Sequence, residues 1–461
     1  MKVLLLRPNS IMIPTPVPLG LGYIAGALRQ QRNDEIEILD ARNRRWPLAR
    51  VRRRVREFAP DVVGISAINF EQPETHELAA AVKAEAPRAP VIIGGPYASA
   101  NREAILKDPS CDVVVLGEGE ATVVELMQAL EAGAGLEAVK GIIFRSNGET
   151  VTTGPRDLIT DLDGLEAAWD LLDPVSYYKR FGRSQNIIKK DHRSLNIFTS
   201  RGCPYNCIFC HNVFGKTFRP RSPESVLAEI RMLHDRYRMR ELDIVDDSFN
   251  QSLKRAKQIC DGIIQNGLKL SVMLPNGIRG DRTDPEFLEL LKAAGFYRIA
   301  FAVESASPRI QELIHKNIDL DKVKWSIEQV ARHGMFATGY FIQGLPTETY
   351  DEMKLTGDWA ADSDLHVASF FYLNPFPGTE AARIAGRDFT NVNFRDYSTM
   401  SVNVSAATDS ELHAANKYAY RRFYLQRRRM ARLIKAVPKN ARTAINAFLV
   451  LRLLFQDEVN Q

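Results

Sequence analysis

The segment Cys203-Pro-Tyr-Asn-Cys207-Ile-Phe-Cys210 holds three of the five cysteines of this 461-residue chain. Five cysteines are too few for a disulfide framework, and thiols that cluster in a reducing compartment indicate a metal centre. A structural zinc needs four protein ligands; His211 could be the fourth, although adjacent ligands chelate one tetrahedral metal poorly. A [4Fe–4S] cluster held by three cysteines leaves one iron open for an outside ligand, and the spacing favours this second interpretation.

The chain around the cysteines alternates short apolar strands with helices. The cysteine segment follows directly on the first predicted strand, and Ser222-Pro223 is typical of the start of the next helix. Six strands are predicted, at Asn196–Thr199, Glu241–Val245, Lys269–Met273, Arg298–Val303, Ala337–Ile342 and Ala368–Leu373. Six strand–helix units in about 190 residues predict a partial or full barrel with its site at the carboxyl ends of the strands.

The first 150 residues predict a second α/β unit. Five β-branched runs read as strands, at Val3–Leu6, Ile36–Leu39, Val62–Ile65, Val91–Ile93 and Val113–Leu116. Four segments between them have helical spacing, at Leu21–Gln31, Leu48–Phe58, Thr75–Ala86 and Ala121–Glu131. The alternation predicts a doubly wound parallel sheet. Asn147-Gly148 indicates a closing β-hairpin over Gly141–Thr153.

The chain is therefore predicted to be an α/β protein of four segments: the sheet at 1–150, a connector at 151–190, the barrel at 191–386 and a basic, mostly helical region at 387–461. Lys plus Arg is 61 and Asp plus Glu is 56, a net charge of +5. Residues 417–461 carry eleven Lys/Arg against two Asp/Glu. Since the remainder of the chain is slightly acidic, no nucleic-acid partner is expected.

No apolar run reaches the ~18 residues of a membrane-spanning helix, and the N-terminus lacks the pattern of a secretory signal. We therefore expect a cytoplasmic location. In the tail, Arg421–Lys435 is predicted to form one basic amphipathic helix, followed by an apolar stretch at Ala444–Phe455. The two segments can pack on the barrel, or they can lie on an anionic membrane surface as a peripheral contact.

The cysteine spacing, with the aromatic Phe209 before the last cysteine, resembles the radical S-adenosylmethionine (SAM) superfamily. There the amino and carboxylate groups of SAM chelate the open iron, and electron transfer cleaves SAM to a 5′-deoxyadenosyl radical. The resemblance spans about residues 195–383, and the last motif departs slightly in register. It implies SAM contacts by Phe209, by Asp246 or Asp247 for the amino group, by Glu304 and Ser305 for the ribose or carboxylate, and by Ile342 and Gly344 for the adenine.

Glycines in the N-terminal unit raise the question of a nucleotide site. Gly20, Gly22 and Gly26 do not fit the Gly-x-Gly-x-x-Gly pattern, because the third glycine comes one residue late. The run also lies a long loop after the first strand rather than directly after it. A dinucleotide site is therefore disfavoured.

The N-terminal unit instead resembles the cobalamin-binding domains, which share this topology. The resemblance rests on Ser66-Ala67-Ile68 after the third strand, Gly94-Gly95 after the fourth and Gly117-Glu118-Gly119 after the fifth. The family's histidine after the first strand is missing here, since the first histidine of the chain is His76. Bound cobalamin is therefore expected to be base-off and histidine-off. A domain of this fold that has lost its cofactor is the alternative.

The two resemblances imply a cobalamin-dependent radical SAM enzyme, most commonly a methyltransferase acting on an unactivated carbon or on phosphorus through methylcobalamin. A porphyrin-cyclase-like enzyme without methyl transfer is the second interpretation, because Arg219–Glu224 and the basic tail are similar to that branch. A non-catalytic corrinoid or cluster carrier is the third, and the SAM-site residues disfavour it. A methylthiotransferase is disfavoured because only Cys111 precedes Cys203.

These resemblances also imply the partners of the protein. A small-molecule substrate is expected, either lipid-like or a tetrapyrrole, together with an external electron donor of the flavodoxin or ferredoxin type. No motif in the chain identifies the substrate itself.

Overall fold

The computed structural model describes residues 1–10, 15–178, 189–211, 213–390 and 392–436. Within these residues the chain forms two mainly parallel sheets flanked by helices, and one two-stranded ribbon. The predicted α/β class, with an N-terminal wound sheet and a six-stranded partial barrel, is confirmed. None of the described helices has both the length and the apolar character needed to cross a membrane.

The N-terminal sheet has seven strands, β1 (Lys2–Arg7), β2 (Glu35–Asp40), β3 (Val62–Ser66), β4 (Val91–Gly94), β5 (Val113–Val115), β6 (Ile142–Ser146) and β7 (Glu149–Thr152). Their order is β2-β1-β3-β4-β5-β6-β7, with the first five parallel and the last two antiparallel. Asn147 (φ 52°) and Gly148 (φ 85°) are both left-handed. They therefore form the kind of turn that the predicted Asn-Gly hairpin requires.

Helices cover both faces of this sheet: α1 (Leu19–Gln31), α2 (Ala41–Arg44), α3 (Leu48–Phe58), α4 (Gln72–Glu85), α5 (Pro96–Asn101) and α6 (Glu120–Ala132). Successive residues of a strand point to opposite faces, so each face needs its own apolar cover. Leu5 of β1 accordingly belongs to one core with α1 and α6. Its neighbour Leu4 belongs to a second core with α3 and α4.

A connector with two short helices, α7 (Trp169–Leu172) and α8 (Val175–Tyr178), packs against α1. A Cβ at Gly26 would lie 1.8 Å from the carbonyl oxygen of Glu166, and one at Gly22 would lie 2.5 Å from a methyl group of Leu172. The carbonyl oxygen of Gly22 accepts a hydrogen bond from the Ala168 N–H (3.0 Å). These helical glycines therefore allow the close approach of the connector, which accounts for their spacing without a nucleotide.

The barrel consists of six parallel strands, β8 (Ser194–Ile197), β11 (Glu241–Ile244), β12 (Ser271–Ile278), β13 (Phe296–Glu304), β14 (Phe336–Gln343) and β15 (Val367–Tyr372), with the ribbon β9 (Ser200–Arg201) and β10 (Arg219–Pro220) after β8. Its helices are α9 (Pro223–Arg236), α10 (Leu253–Gln265), α11 (Pro285–Ala293), α12 (Pro308–Leu313), α13 (Leu320–Arg332), α14 (Tyr350–Ala361) and α15 (Glu380–Ile384). The order is β15-β14-β13-β12-β11-β8, so among the described strands the first and last of the barrel do not pair.

One barrel strand differs from its prediction. The sequence predicts a strand over Lys269–Met273, whereas β12 runs on to Ile278. The extension contains Pro275 and Gly277 (φ 92°), and the pairing with β13 shifts register there. A bulge of this kind accommodates a proline and a left-handed glycine inside a strand.

The tail forms two helices, α16 (Asp409–Tyr424) and α17 (Arg427–Ala436), so the prediction of one helix over Arg421–Lys435 is wrong. The break lets Phe423 stay buried against Phe370 (ring centroids 6.5 Å apart). It also turns Arg429 inward, where its guanidinium donates to the carbonyl oxygens of Ala361 (2.7 Å) and Ser363 (3.1 Å) near the end of α14. The predicted apolar stretch at Ala444–Phe455 lies outside the described residues.

Candidate functional site

Loops that follow the strands of the two sheets meet at one interface. Phe70, after β3, packs edge-on against Phe376, after β15, with ring centroids 5.4 Å apart. A Cβ at Gly117, after β5, would lie 3.8 Å from the carbonyl oxygen of Val213 in the cysteine loop. The carboxyl edge of the N-terminal sheet therefore faces the carboxyl edge of the barrel, and the predicted residues of both units lie at these edges.

The cysteine loop begins at a left-handed glycine. Gly202 has φ 81°, and a Cβ there would lie 2.2 Å from the carbonyl oxygen of Thr217. The next residue, Cys203, donates its N–H to the carbonyl oxygen of Gly215 (3.4 Å). Because only glycine fits this close approach, the direction in which the loop leaves β9 is fixed by the backbone.

The far side of the loop is anchored by the buried Ile208. Its N–H donates to the carbonyl oxygen of Ile314 (3.3 Å), and its own carbonyl accepts from the N–H of Ala381 (2.9 Å). Its side chain packs in a small apolar cluster that includes the partly buried Phe209 and Ile342. Two residues assigned to SAM by resemblance thus pack together beside Ile208 of the cysteine loop.

The three thiols of the loop do not have the spacing of a mononuclear zinc site. The sulfurs that bind one tetrahedral zinc lie roughly 3.8 Å apart, given a Zn–S bond of about 2.3 Å. Among the described residues, the group with ligand atoms all within 4.8 Å of one another is His76, Asp108 and Cys111, not the cysteine loop with His211. Three thiols that do not all lie within 4.8 Å of one another suit a polynuclear iron–sulfur centre better.

Burial raises the pKa of Cys203 and that of Cys207. Such thiols lose their protons when a cation compensates the thiolate charge, so a metal centre fits the donor set. Burial also raises the pKa of Cys111 and that of Cys260 to about 12, and both residues are fully buried. These two cysteines are core residues.

The pair Asp246-Asp247 follows β11, and its two carboxylates have different surroundings. Asp246 is buried, and it accepts hydrogen bonds from the Thr199 N–H (2.6 Å), the Thr199 hydroxyl (2.5 Å) and the Ser200 hydroxyl (2.6 Å). Asp247 is exposed, and one of its oxygens accepts from the Gly202 N–H (3.2 Å). The surrounding protein and the adjacent Asp246 raise the pKa of Asp247 to about 6. Asp246 therefore holds the cysteine loop, and Asp247 is the one whose carboxylate can reach a ligand.

Glu304 and Ser305 end β13 in a strained turn. Glu304 has φ 69°, is 6% exposed, and forms an ion pair with Lys316 (3.1 Å). A left-handed conformation for a residue other than glycine is uncommon and costs free energy, so it marks a candidate functional position. Ser305 is fully buried, and its hydroxyl accepts from the Ser307 N–H (3.2 Å). Ser305 therefore stabilises the turn from inside, while Glu304 and Lys316 stay beside the cysteine loop.

The turn after β14 depends on Glu348. This carboxylate is fully buried and accepts from the N–H groups of Gly344 (2.9 Å) and Leu345 (3.1 Å), and burial raises its pKa to about 8. Gly344 has φ 81°, and a Cβ there would lie 3.1 Å from Leu412 of α16. The sequence suggested an adenine contact for Gly344; the structure adds that Glu348 sets the shape of this turn.

The edge of the N-terminal sheet offers room for an elongated ligand. Ser66 and Gly94 lie side by side in register at the ends of β3 and β4. A Cβ at Gly95 (φ 85°) would lie 2.9 Å from the carbonyl oxygen of Ala67, whereas a Cβ at Gly94 would meet nothing within 4 Å. Open space beside a hydroxyl fits the nucleotide tail of a corrinoid. Ile68 packs at the aromatic cluster that joins the two units.

The loop after β5 has its acidic residue paired within the protein. Gly117 stays at the sheet edge, and its N–H donates to the Ser99 hydroxyl (3.0 Å), while Gly119 precedes α6. Glu118, between them, is buried and accepts from guanidinium groups of Arg201 (2.9 Å) and Arg219 (2.8 Å), both in the barrel. Its oxygens are therefore taken within the protein, and we assign Glu118 to the domain interface instead of to a cobalamin contact.

A buried ion pair that the sequence did not reveal connects α2, which follows β2, to the loop after β3. Arg42 pairs with Glu71, and Arg42 also donates to the Ser10 hydroxyl (2.6 Å). Glu71 accepts from the Ile68 N–H (3.1 Å). Arg42 belongs to an arginine-rich run that is expected to be solvated, so only the structure could single it out.

His76 does not replace the missing loop histidine. One of its ring nitrogens is hydrogen-bonded to Asp108 (2.6 Å) and the other to the Tyr97 hydroxyl (2.7 Å). Both nitrogens are therefore engaged within the N-terminal unit, and neither is free to bind a cobalt ion. The expectation of a corrinoid without a histidine ligand from this part of the chain is consistent with these contacts.

Two family models match the chain. The B12 binding domain matches residues 14–127, and the Radical SAM superfamily matches residues 197–360. The first match covers the sheet with the glycine edge, and the second covers the barrel with the cysteine loop.

Curated relatives match the chain over most of its length. The uncharacterized methyltransferase PH0819 of Pyrococcus horikoshii is 32% identical, over 92% of this chain and 93% of its own length. Cytidylyl-2-hydroxyethylphosphonate methyltransferase of Streptomyces wedmorensis is 30% identical, over 83% of this chain and 81% of its own length. An anaerobic magnesium-protoporphyrin IX monomethyl ester cyclase of Cereibacter sphaeroides is 26% identical, over 89% of this chain and 67% of its own length.

A solved structure shares the fold. The radical S-adenosylmethionine methyltransferase TsrM from Kitasatospora setae, solved with cobalamin and a [4Fe–4S] cluster, is 22% identical and superposes with a TM-score of 0.68. The match covers 84% of this chain and 74% of that one. The cobalamin-dependent radical enzyme OxsB superposes with a TM-score of 0.67 at 18% identity, over 88% of this chain and 58% of that one.

Replacement of single cysteines tests the metal centre. Cys207→Ala is expected to lose nearly all bound iron, because a cluster left with two thiolates is no longer held. Cys260→Ala removes a buried thiol of the same kind in α10 and should keep the wild-type iron content, although it lowers stability. Iron and sulfide per chain after anaerobic reconstitution are the measurement. Unchanged iron in the Cys207 variant would exclude this loop as the ligand set.

Proposed function

The chain belongs to the cobalamin-dependent radical SAM enzymes, and from this premise we propose that it is a methyltransferase acting on an unactivated carbon or on phosphorus in a small molecule. One observation carries the proposal: the open sheet edge at Gly94 and the cysteine loop lie on opposite sides of the same interface. A methyl donor bound at the sheet edge and a radical source bound at the cysteine loop would then both reach a substrate that lies between them.

When bound, the iron–sulfur cluster, SAM and cobalamin supply the electron transfer, radical and methyl-donor chemistry. The protein binds and orients these groups and excludes water. We assign the cluster to Cys203, Cys207 and Cys210. The fit rests on the donor set: three thiols on one short loop that begins at the left-handed Gly202.

The proposed SAM site uses the polar groups nearest the cysteine loop. The Asp247 carboxylate is placed to accept hydrogen bonds from an amino group, since it already borders the loop through Gly202. The Glu304–Lys316 ion pair offers one charge of each sign for the ribose and the carboxylate. The Gly344 turn, whose shape Glu348 sets, and the apolar pair Phe209 and Ile342 complete the site, with Ser305 in a supporting position.

For cobalamin we propose that Ser66, Gly94, Gly95 and Gly117 line the tail pocket, with Ile68 at the boundary to the barrel. The base-off, histidine-off form fits, because no histidine precedes His76 in the chain and His76 is engaged elsewhere. The loop after β1 is instead tied to the loop after β3 through Arg42 and Glu71. This buried pair would keep the region beneath the corrinoid rigid.

The second candidate is a cyclase or oxidation enzyme that uses the same cofactors without methyl transfer. The match to the magnesium-protoporphyrin cyclase of Cereibacter sphaeroides favours it, since 89% of this chain is covered. The Arg219–Glu224 run does not decide between the candidates, because Arg219 and Arg221 are both engaged in ion pairs within the protein.

The substrate we propose is largely apolar or aromatic, in keeping with a lipid-like molecule or a tetrapyrrole. The ring centroids of Tyr340 in β14 and Phe371 in β15 are 5.7 Å apart, and the ring centroids of Phe371 and Tyr397 are also 5.7 Å apart. Tyr397 is 46% exposed. Aromatic faces at the carboxyl ends of these strands suit a planar or apolar partner.

We also propose a flavodoxin- or ferredoxin-type electron donor and a cytoplasmic location, because unligated clustered thiols need a reducing compartment. We propose that the chain divides into four segments, with boundaries at residues 150, 190 and 386. A peripheral membrane contact through the tail has no support from α16 and α17, which pack on the barrel.

Methyl-labelled SAM separates the candidate functions. The reconstituted, reduced enzyme should form S-adenosylhomocysteine together with 5′-deoxyadenosine, and the label should reach cobalamin. The Cys207→Ala variant, which lacks the cluster, should form no deoxyadenosine. Deoxyadenosine without S-adenosylhomocysteine or labelled cobalamin would contradict methyl transfer and favour the cyclase. Failure to bind any corrinoid would indicate a domain that has lost its cofactor.

The two adjacent carboxylates provide a matched test of the SAM site. Asp247→Asn should weaken SAM binding about tenfold or more, since it removes one charge-assisted hydrogen bond, and should keep its iron. Asp246→Asn should instead lower iron retention, because Asp246 holds Thr199 and Ser200 at the start of the loop. Equilibrium SAM binding and iron content are measured for both variants. Wild-type SAM affinity in the Asp247 variant would remove this residue from the site.

A further inference from the structure

We infer that Glu118, Glu120, Arg201 and Arg219 form an interdomain clamp that sets the position of the cobalamin-binding sheet relative to the cysteine loop. The inference rests on the proposed function, since it concerns the separation of the two cofactor sites. In this role Glu118 is a positioning residue and touches neither cofactor. The clamp is one connected group of four side chains, two from each domain.

The contacts of the clamp cross the domain boundary. Arg201 donates through one guanidinium nitrogen to Glu118 (2.9 Å) and through the other to Glu120 (2.6 Å). Arg219 donates to Glu118 (2.8 Å). Glu118 also accepts from the N–H of Ile159 in the connector (2.9 Å). Three segments of the chain therefore converge on the carboxylate of Glu118.

The clamp is buried, so its charged groups need close and well-oriented partners. The four residues are between 4% and 7% exposed. Two carboxylates and two guanidinium groups balance in charge, and burial of such groups is tolerated only where partners are close and well oriented. The planar fork of Arg201 bridges Glu118, in the loop after β5, and Glu120, at the start of α6, a geometry that lysine cannot reproduce. A relative shift of the domains would leave charges buried without partners.

The position of the clamp in the chain connects it to both sites. Arg201 lies two residues before Cys203, in the ribbon β9 that leads into the left-handed Gly202. Glu118 lies between Gly117 and Gly119, directly after β5 at the edge assigned to the corrinoid. The Arg201 guanidinium also lies over the ring of Tyr23 from α1 (5.0 Å). The loop after β5 and the loop after β8 are thus joined directly.

A clamp that only stabilised the fold would not control the distance between domains. The test therefore measures that distance with nitroxide labels on encoded ketone residues at positions 53 in α3 and 332 in α13. Both native arginine side chains are well exposed, at 63% and 67%. Ketone labelling does not involve the cysteines, so the measurement does not depend on cluster or corrinoid.

The variants are Glu118→Gln combined with Glu120→Gln, Glu120→Gln alone as a milder change, and Glu118→Asp as the conservative rescue. Asp170→Asn is the matched control, because its ion pair with Arg29 also joins the N-terminal sheet to the connector but is 42% and 47% exposed. Ile259→Val, in the fully buried face of α10, controls for destabilisation without contact to the clamp.

Wild type and both controls should give the same single, narrow distance distribution. The double glutamine variant should give a broadened or second distance, Glu120→Gln a smaller change, and Glu118→Asp a distribution closer to wild type. If the double variant does not fold, the distance distribution of the Glu120→Gln variant is the test: a change supports the clamp and a wild-type distribution contradicts it. A wild-type distribution in the folded glutamine variants, with only a lower unfolding temperature, would overturn the clamp and leave a stabilising ion pair.

Failure of the clamp and failure of the proposed function can be told apart. If methyl transfer operates, the double variant should raise the ratio of deoxyadenosine to S-adenosylhomocysteine by about tenfold, since small misplacements are costly in aligned reactions. If methyl transfer is absent from wild type, the distance measurement still tests the clamp. If wild type transfers methyl, and the double variant keeps both the wild-type label distance and the wild-type ratio of the two products, the clamp is overturned while the proposed function stands.

Discussion

Parallel strands bring every loop that follows them to one edge of the sheet, and here two such edges face each other. The rest of the molecule is arranged around this constraint. Glycines in α1 let the connector pack closely, the aromatic cluster around Phe70 and Phe376 fills the joint, and Glu118 links the loops on either side. The interface is therefore where groups bound to separate domains can act on one substrate.

Electrostatics divides the acidic residues at this interface into two kinds. Asp246, Glu118 and Glu348 are buried and accept hydrogen bonds from the protein, so they fix loops. Asp247 is exposed and retains capacity for a ligand. Carboxylates that look alike in sequence thus have different tasks. The proposed SAM site accordingly combines the exposed Asp247 with the Glu304–Lys316 ion pair beside the cysteine loop.

Much of the architecture could be predicted from the sequence, because strand and helix periodicity is local. The barrel strands, the Asn147-Gly148 hairpin and the cysteine loop were predictable for this reason, and the glycine pair at Gly94 followed from the resemblance. The partners of Glu118 and of Arg42 were not, since each pairs with residues distant in the chain. The break between α16 and α17 also escaped prediction, because it depends on the carbonyl groups that Arg429 reaches at the end of α14.

One interface is proposed to hold both a cluster and a corrinoid without a histidine ligand. Pulsed electron paramagnetic resonance of the enzyme reconstituted with iron, sulfide and cobalamin tests this claim most directly. We expect a Co(II) signal without nitrogen splitting from an axial imidazole, and a dipolar coupling between Co(II) and the reduced cluster. A nitrogen triplet, or two spins that show no coupling, would contradict it.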